Sequence, residues 1–216
     1  MPAAEQSKTD PVSRFQSFKF QTSTFHLLSA DSVYTSLLMI VLMAGLPGTG
    51  KSTLARELAA RTRGRVLSKD SIRHAVFSAD EIEYSSRQDD FVVGLMMETA
   101  GYLLSRDPDR HIFLDGRPFS RRYQIENVLH AAASLGQPWR ILECVCSEET
   151  ARRRLEGDAV AGAHVAENRD FQLYLSVKSR FESITVAKTV IDTSQPLDAC
   201  VELGLAALRR SESQDL

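Results

Sequence analysis

The chain has 216 residues, 43% hydrophobic and 25% charged, which fits one globular domain and excludes wholesale disorder. Lys+Arg 26 against Asp+Glu 28 leaves a net charge of -2, which counts against a general nucleic-acid coat and a polybasic membrane binder. Three cysteines, with Cys144 and Cys146 spaced C-x-C and Cys200 far off, read as small buried hydrophobes in a reducing compartment, since they make neither a disulfide framework nor a zinc motif.

Residues 1–36 are rich in Ser, Thr, Gln and Phe and show no sustained period. Two readings stand: a flexible extension, or a translation start placed too far upstream, with Met39 as a sensible initiator. No charged n-region precedes an apolar stretch, and the longest apolar run, Leu37 to Gly45, is under half of a membrane span. The expected location is the cytoplasm, with no membrane. Residues 37–210 then read as one domain and residues 211–216 as a polar tail.

Leu37 to Met43 is a continuous apolar run of strand length, as in a strand covered on both faces. Lys51 to Thr62 carries Leu54, Ala55, Leu58 and Ala59 on one helical stripe. Arg65 to Ser68 is a second strand, after which Asp70 is placed to cap a helix. Gln88 to Ser105 follows as a long helix and His111 to Asp115 as a third strand. Ser120 opens the next helix, through Ala133, and Trp139 to Cys146 makes a fourth strand. Ser147 starts a helix with acids in its first turn and Arg152 to Arg154 toward its far end, in agreement with the helix dipole. Residues 157–168 read as a mobile loop, and Asp170 to Ser183 as a helix. Thr189 to Ile191 and Leu197 to Arg209 close the chain as strand and helix. Strands alternating with helices imply a parallel sheet covered on both faces.

Between the first strand and helix runs Gly45-Leu46-Pro47-Gly48-Thr49-Gly50-Lys51-Ser52-Thr53, a full match to the phosphate-loop pattern G-x-x-x-x-G-K-[ST] in its expected context. The glycines let backbone N–H groups turn inward at phosphate oxygens, and the helix N-terminus adds a positive end. Lys51 can reach the β- and γ-phosphates, and the Ser52 hydroxyl can ligate Mg²⁺. The motif therefore points to a nucleoside triphosphate such as ATP, without separating kinases from GTPases or motor ATPases.

Asp70 and Arg73 stand just past the second strand, where open parallel sheets bind ligands. There a carboxylate can take the proton of an attacking hydroxyl while the arginine steadies an anionic group. The competing reading is a helix cap and a surface charge. Asp115 ends a hydrophobic strand, the place of a carboxylate that holds Mg²⁺ or its water, or else of a loop cap. Arg117, Arg121 and Arg122 follow as candidates for anionic substrate groups or as a solvated helix start, with Arg117 favoured for substrate. His164 reads as a loop residue. Tyr84, Tyr123 and Trp139 form no spaced ladder, so stacking of a long single strand has little support.

The P-loop, the Ser68-Lys-Asp-Ser-Ile-Arg73 segment, the strand ending in Asp115 and Asp192-Thr-Ser194 together resemble the small P-loop kinases, AAA-type ATP-binding proteins related to polynucleotide kinase, zeta toxin and chloramphenicol phosphotransferase. The similarity covers roughly residues 38–210. It implies an α/β three-layer fold with a parallel five-stranded sheet ordered 2-3-1-4-5 and a short lid. It also implies Asp70 as catalytic base and Arg73 on substrate. A lid arginine closing over the phosphates is implied too, with Arg154 the first choice and Arg169 the second; Asp192 to Ser194 would lie near the adenine, though turn chemistry explains them equally well. The expected activity is Mg²⁺-dependent transfer of the ATP γ-phosphate to a hydroxyl of a small molecule. The alternatives are a kinase of 5′-hydroxyl nucleic-acid ends or nucleotide sugars, and a nucleotide-dependent switch with a protein partner.

Overall fold

A computed structural model describes residues 39–161 and 170–209, with side chains of 159–161 left aside. The N-terminal extension, the C-terminal tail, His164 and Arg169 lie outside the described residues. Five strands, β1 (Ile40–Ala44), β2 (Arg65–Ser68), β3 (Ile112–Asp115), β4 (Trp139–Val145) and β5 (Thr189–Asp192), form one parallel sheet ordered β2-β3-β1-β4-β5. The helices are α1 (Lys51–Arg61), α2 (Lys69–Val76), α3 (Ser86–Arg106), α4 (Arg122–Ser134), α5 (Glu148–Ala161), α6 (Phe171–Ser179) and α7 (Leu197–Arg209), with a 3₁₀ turn at Ala79–Glu81. Among the described residues no helix is long and apolar enough to cross a membrane.

The unbroken apolar run of β1 is explained by the two cores it divides. Ile40, Leu42 and Ala44 face Val92 and Met96 of α3 and Val128 of α4. Val41 and Met43 face Leu54 and Leu58 of α1 and Val201 and Leu208 of α7. Side chains alternate along a strand, so a strand buried on both faces needs apolar residues at every position. Parallel pairing then brings the carboxyl ends of β1, β2 and β3 to one edge, with Ser68 level with Asp115.

Several boundaries differ from expectation, among them the end of α6 at Ser179 rather than Ser183. The cap of α2 is Ser68, whose Oγ accepts from Ser71 N at 3.3 Å, so Asp70 lies inside the first turn and does not cap. Helix α4 starts at Arg122 rather than Ser120. Helix α5 runs through Gly157 to Ala161 where a loop was expected, placing Arg152 to Arg154 near its middle. Alanine is the strongest helix former, and one glycine costs a helix only about 1 kcal/mol, so Ala159 and Ala161 are well suited to carry it on.

Candidate functional site

The phosphate loop needs glycine where the backbone turns left-handed. At Gly45, φ is +126° and a Cβ would lie 2.2 Å from the carbonyl oxygen of Cys144; at Gly48, φ is +77° and a Cβ would lie 2.8 Å from that of Ala151. Inside the loop, the Thr49 hydroxyl and the buried Lys51 ammonium each donate to the Leu46 carbonyl at 2.7 Å. Gly50 caps α1 in the left-handed region, so the first N–H groups of that helix open at the loop.

Two cavities flank the loop. The first, about 660 Å³, is lined by Gly48, Gly50, Ser52, Thr53, Asp70, Asp115, Arg154 and Thr193 among others. The second, about 730 Å³, takes in Pro47, Lys51, Ser52, Asp70, Tyr84, Arg117 and Tyr123. Ser52 and Asp70 belong to both.

Asp70 is nearly buried and sits in an alternating cluster of charges. Its Oδ1 lies 3.1 Å from Arg73 Nη1 and 3.4 Å from Lys69 Nζ. Asp89 answers the same two cations, taking Lys69 Nζ at 2.8 Å and the other end of the Arg73 guanidinium. Arg73 is only 1% exposed, and its guanidinium lies 5.1 Å from the Tyr84 ring centroid. Burial of this kind is tolerated because each charge has an opposite neighbour. Thus Arg73 is not a surface charge.

Asp115 is buried at the end of β3, and its Oδ1 has no hydrogen-bond partner among the described residues. It shares the first cavity with the Ser52 hydroxyl. Arg117 is 3% exposed, with Nη2 2.6 Å from Asp90 Oδ1 in an ion contact that is not aligned as a hydrogen bond. Arg121 pairs with Glu182 at 2.8 Å, while Arg122 is exposed. Phe119, in the same loop, is buried at φ +52°, a backbone conformation rare for a bulky residue.

Arg154 is drawn into the protein. Nη2 donates to the Thr193 carbonyl at 2.7 Å, and Nη1 to the Thr193 hydroxyl at 3.1 Å and the Gly48 carbonyl at 3.4 Å. Neighbouring Arg152 lies over the Phe171 ring at 3.7 Å, on another side of α5. At the turn after β5, Asp192 accepts from Ser194 N at 2.9 Å, which holds its carboxyl below the ordinary carboxylate range. Burial pushes the Cys144 thiol up to about 12, as befits an inert core residue.

Lys69 and Asp89 have no role in the sequence reading, and Thr193 enters it only within the Asp192-to-Ser194 run. Lys69 stands in the quoted Ser68-to-Arg73 run, but nothing in spacing alone says that it shares Asp89 with Arg73. The contacts of Thr193 with Arg154 and Thr49 follow only once β4 and β5 are paired.

Residues 40–182 match a protein-family model described as an AAA domain. Among solved structures, the Mycobacterium tuberculosis APS kinase CysC in complex with AMPPNP and APS superposes with a TM-score of 0.61 at 16% identity, over 80% of this chain and 98% of that one. A gluconokinase from Sinorhizobium meliloti gives 0.56 at 17% identity, over 80% and 91%. Chaetomium thermophilum Kti12 in complex with ADP-AlF3 gives 0.58 at 14% identity, over 78% and 98%. At such identities the likeness establishes a shared P-loop fold.

Proposed function

The chain belongs to this AAA domain family, and from that footing we propose that it is a phosphotransferase that moves the γ-phosphate of ATP to a hydroxyl of a small molecule. The observation that carries the reading is the pair of cavities meeting at Ser52 and Asp70. A phosphoryl donor in one and an acceptor in the other would put the transferred group between them. That a kinase of this fold has been solved with AMPPNP and APS together supports room for two ligands at once.

In this mechanism the loop from Gly45 to Thr53 wraps the triphosphate, and Lys51 leaves the Leu46 carbonyl to meet the β- and γ-phosphates. Asp70 accepts the acceptor's hydroxyl proton as its oxygen bonds to the γ-phosphorus and the bond to the β–γ bridging oxygen breaks, releasing ADP. Arg73 fixes Asp70 through the 3.1 Å contact and, with Arg117, borders the acceptor. Arg154 closes the nucleotide side. Ser52 and Asp115 offer oxygen donors that suit Mg²⁺, and the unpartnered Asp115 Oδ1 is what such an ion or its water would satisfy. Bound there, Mg²⁺ would neutralise charge on the phosphates. Among the described residues no three His, Cys, Asp or Glu cluster as a cation cage, so phosphate and water oxygens would complete its shell.

The test is incubation of the full chain with γ-labelled ATP and a pooled extract of small metabolites. A new labelled phosphomonoester supports the reading. Slow release of inorganic phosphate alone, indifferent to the extract, would move it to the switch ATPase, for which a second cavity has no evident use.

A further inference from the structure

We propose that the acceptor carries a phosphate-like oxyanion besides its hydroxyl, and that Arg117 and Arg180 of the second cavity hold it. The inference rests on the phosphotransferase reading but concerns the ligand's charge, so it is tested without turnover.

The charges lining that cavity do not balance locally. Lys69 and Arg73 are matched by Asp70 and Asp89, and Arg121 is matched by Glu182. Arg180, exposed at the end of α6, has no hydrogen bond or ion pair from its side chain among the described residues. Arg117 comes from the loop after β3 and is buried, yet its Nε and Nη2 have no hydrogen-bond partner among the described residues. Those two nitrogens form one edge of the guanidinium, the edge that grips two oxygens of an anion side by side. A buried donor left without an acceptor is destabilising, and such groups are rare in folded proteins.

Asp90 offers charge to Arg117 from 2.6 Å without good alignment, and it also accepts from the Tyr123 hydroxyl at 3.4 Å. Being 39% exposed, it can yield Arg117 to a better-placed anion. Guanidinium groups arriving from two separate elements suit an anion whose oxygens point several ways, as in phosphate, more than a planar carboxylate. With Asp70 shared by both cavities, the acceptor's hydroxyl would face the triphosphate and its anionic group the arginines.

The probe is inorganic phosphate, titrated by phosphorus NMR line width into the full chain whose nucleotide site is saturated with AMPPNP and Mg²⁺. Saturable binding is expected, weakened about tenfold, or 1.4 kcal/mol, in Arg117→Gln and in Arg180→Ala, and partly restored in Arg117→Lys. Because Arg180 is exposed, its variant reports even if Arg117→Gln fails to fold. Absence of a saturable site, or equal affinity in wild type and Arg180→Ala, overturns the inference and leaves the phosphotransferase reading intact. Failure of AMPPNP itself to bind overturns both.

Discussion

The guanidinium of Arg154 is bonded to both ends of one residue, donating to the Thr193 carbonyl at 2.7 Å and to its hydroxyl at 3.1 Å. That hydroxyl also lies 2.9 Å from the Thr49 carbonyl, so helix α5, the phosphate loop and the turn after β5 are pinned at one point. Arg154→Ala is therefore expected to lower the melting temperature by several degrees as well as weaken AMPPNP about tenfold. Thermal unfolding and calorimetric titration check this. Unchanged melting with lost turnover would make Arg154 a ligand of the phosphates and nothing else.

The loop's backbone leaves Gly48 no space. With φ at +77° and the Ala151 carbonyl 2.8 Å from any Cβ, Gly48→Ala is expected to force the loop away from α5. The left-handed strain alone is about 1–2 kcal/mol. Chemical denaturation should register the loss, and AMPPNP affinity should fall with it.

Much of this was readable beforehand because it depends on local pattern. The five strands, their alternation with helices and the full Gly45-to-Thr53 loop follow from runs and spacing within a few residues. The sheet order came from resemblance and agrees. What was not readable depends on distant pairing. Asp70 looked equally like a cap until Ser68 proved to hold the amide of Ser71. The Lys69–Asp89 contact joins residues on separate helices, and Arg154 meets Thr193 only because β4 and β5 lie side by side. The extent of α5 is not legible in the sequence because Gly157 and the alanines around it suit either a loop or a helix.

His111 gives a pH dependence that does not involve the site. It is buried, and its Nδ1 accepts from the Met39 amide at 3.3 Å, an arrangement that requires the neutral ring. Burial holds it below its ordinary value of 6.5. A depressed folded value means that its stabilising share is whole above pH 6.5 and lost as pH falls through the folded value. Stability of the wild type is expected to drop on the acid side of 6.5, with a shallower drop in His111→Gln, by denaturant titration at stepped pH.

Asp115→Asn removes a negative charge from a buried position whose Oδ1 is unpartnered. On the proposed reading the Mg²⁺ concentration needed for half-maximal transfer rises about tenfold, while AMPPNP binding without metal is unchanged or tighter. An unaltered Mg²⁺ requirement would contradict a role for Asp115 in holding the ion.

On the proposed reading Asp70, shared by the two cavities, receives the acceptor's proton. The most direct measurement is phosphorus NMR of ATP with a metabolite extract, run on wild type and on Asp70→Asn with AMPPNP affinity determined for both. A new phosphomonoester signal is expected in wild type, with a fall of at least about a hundredfold in its rate in the variant and nucleotide affinity kept. A variant that binds AMPPNP and forms the same product at the wild-type rate would contradict that reading.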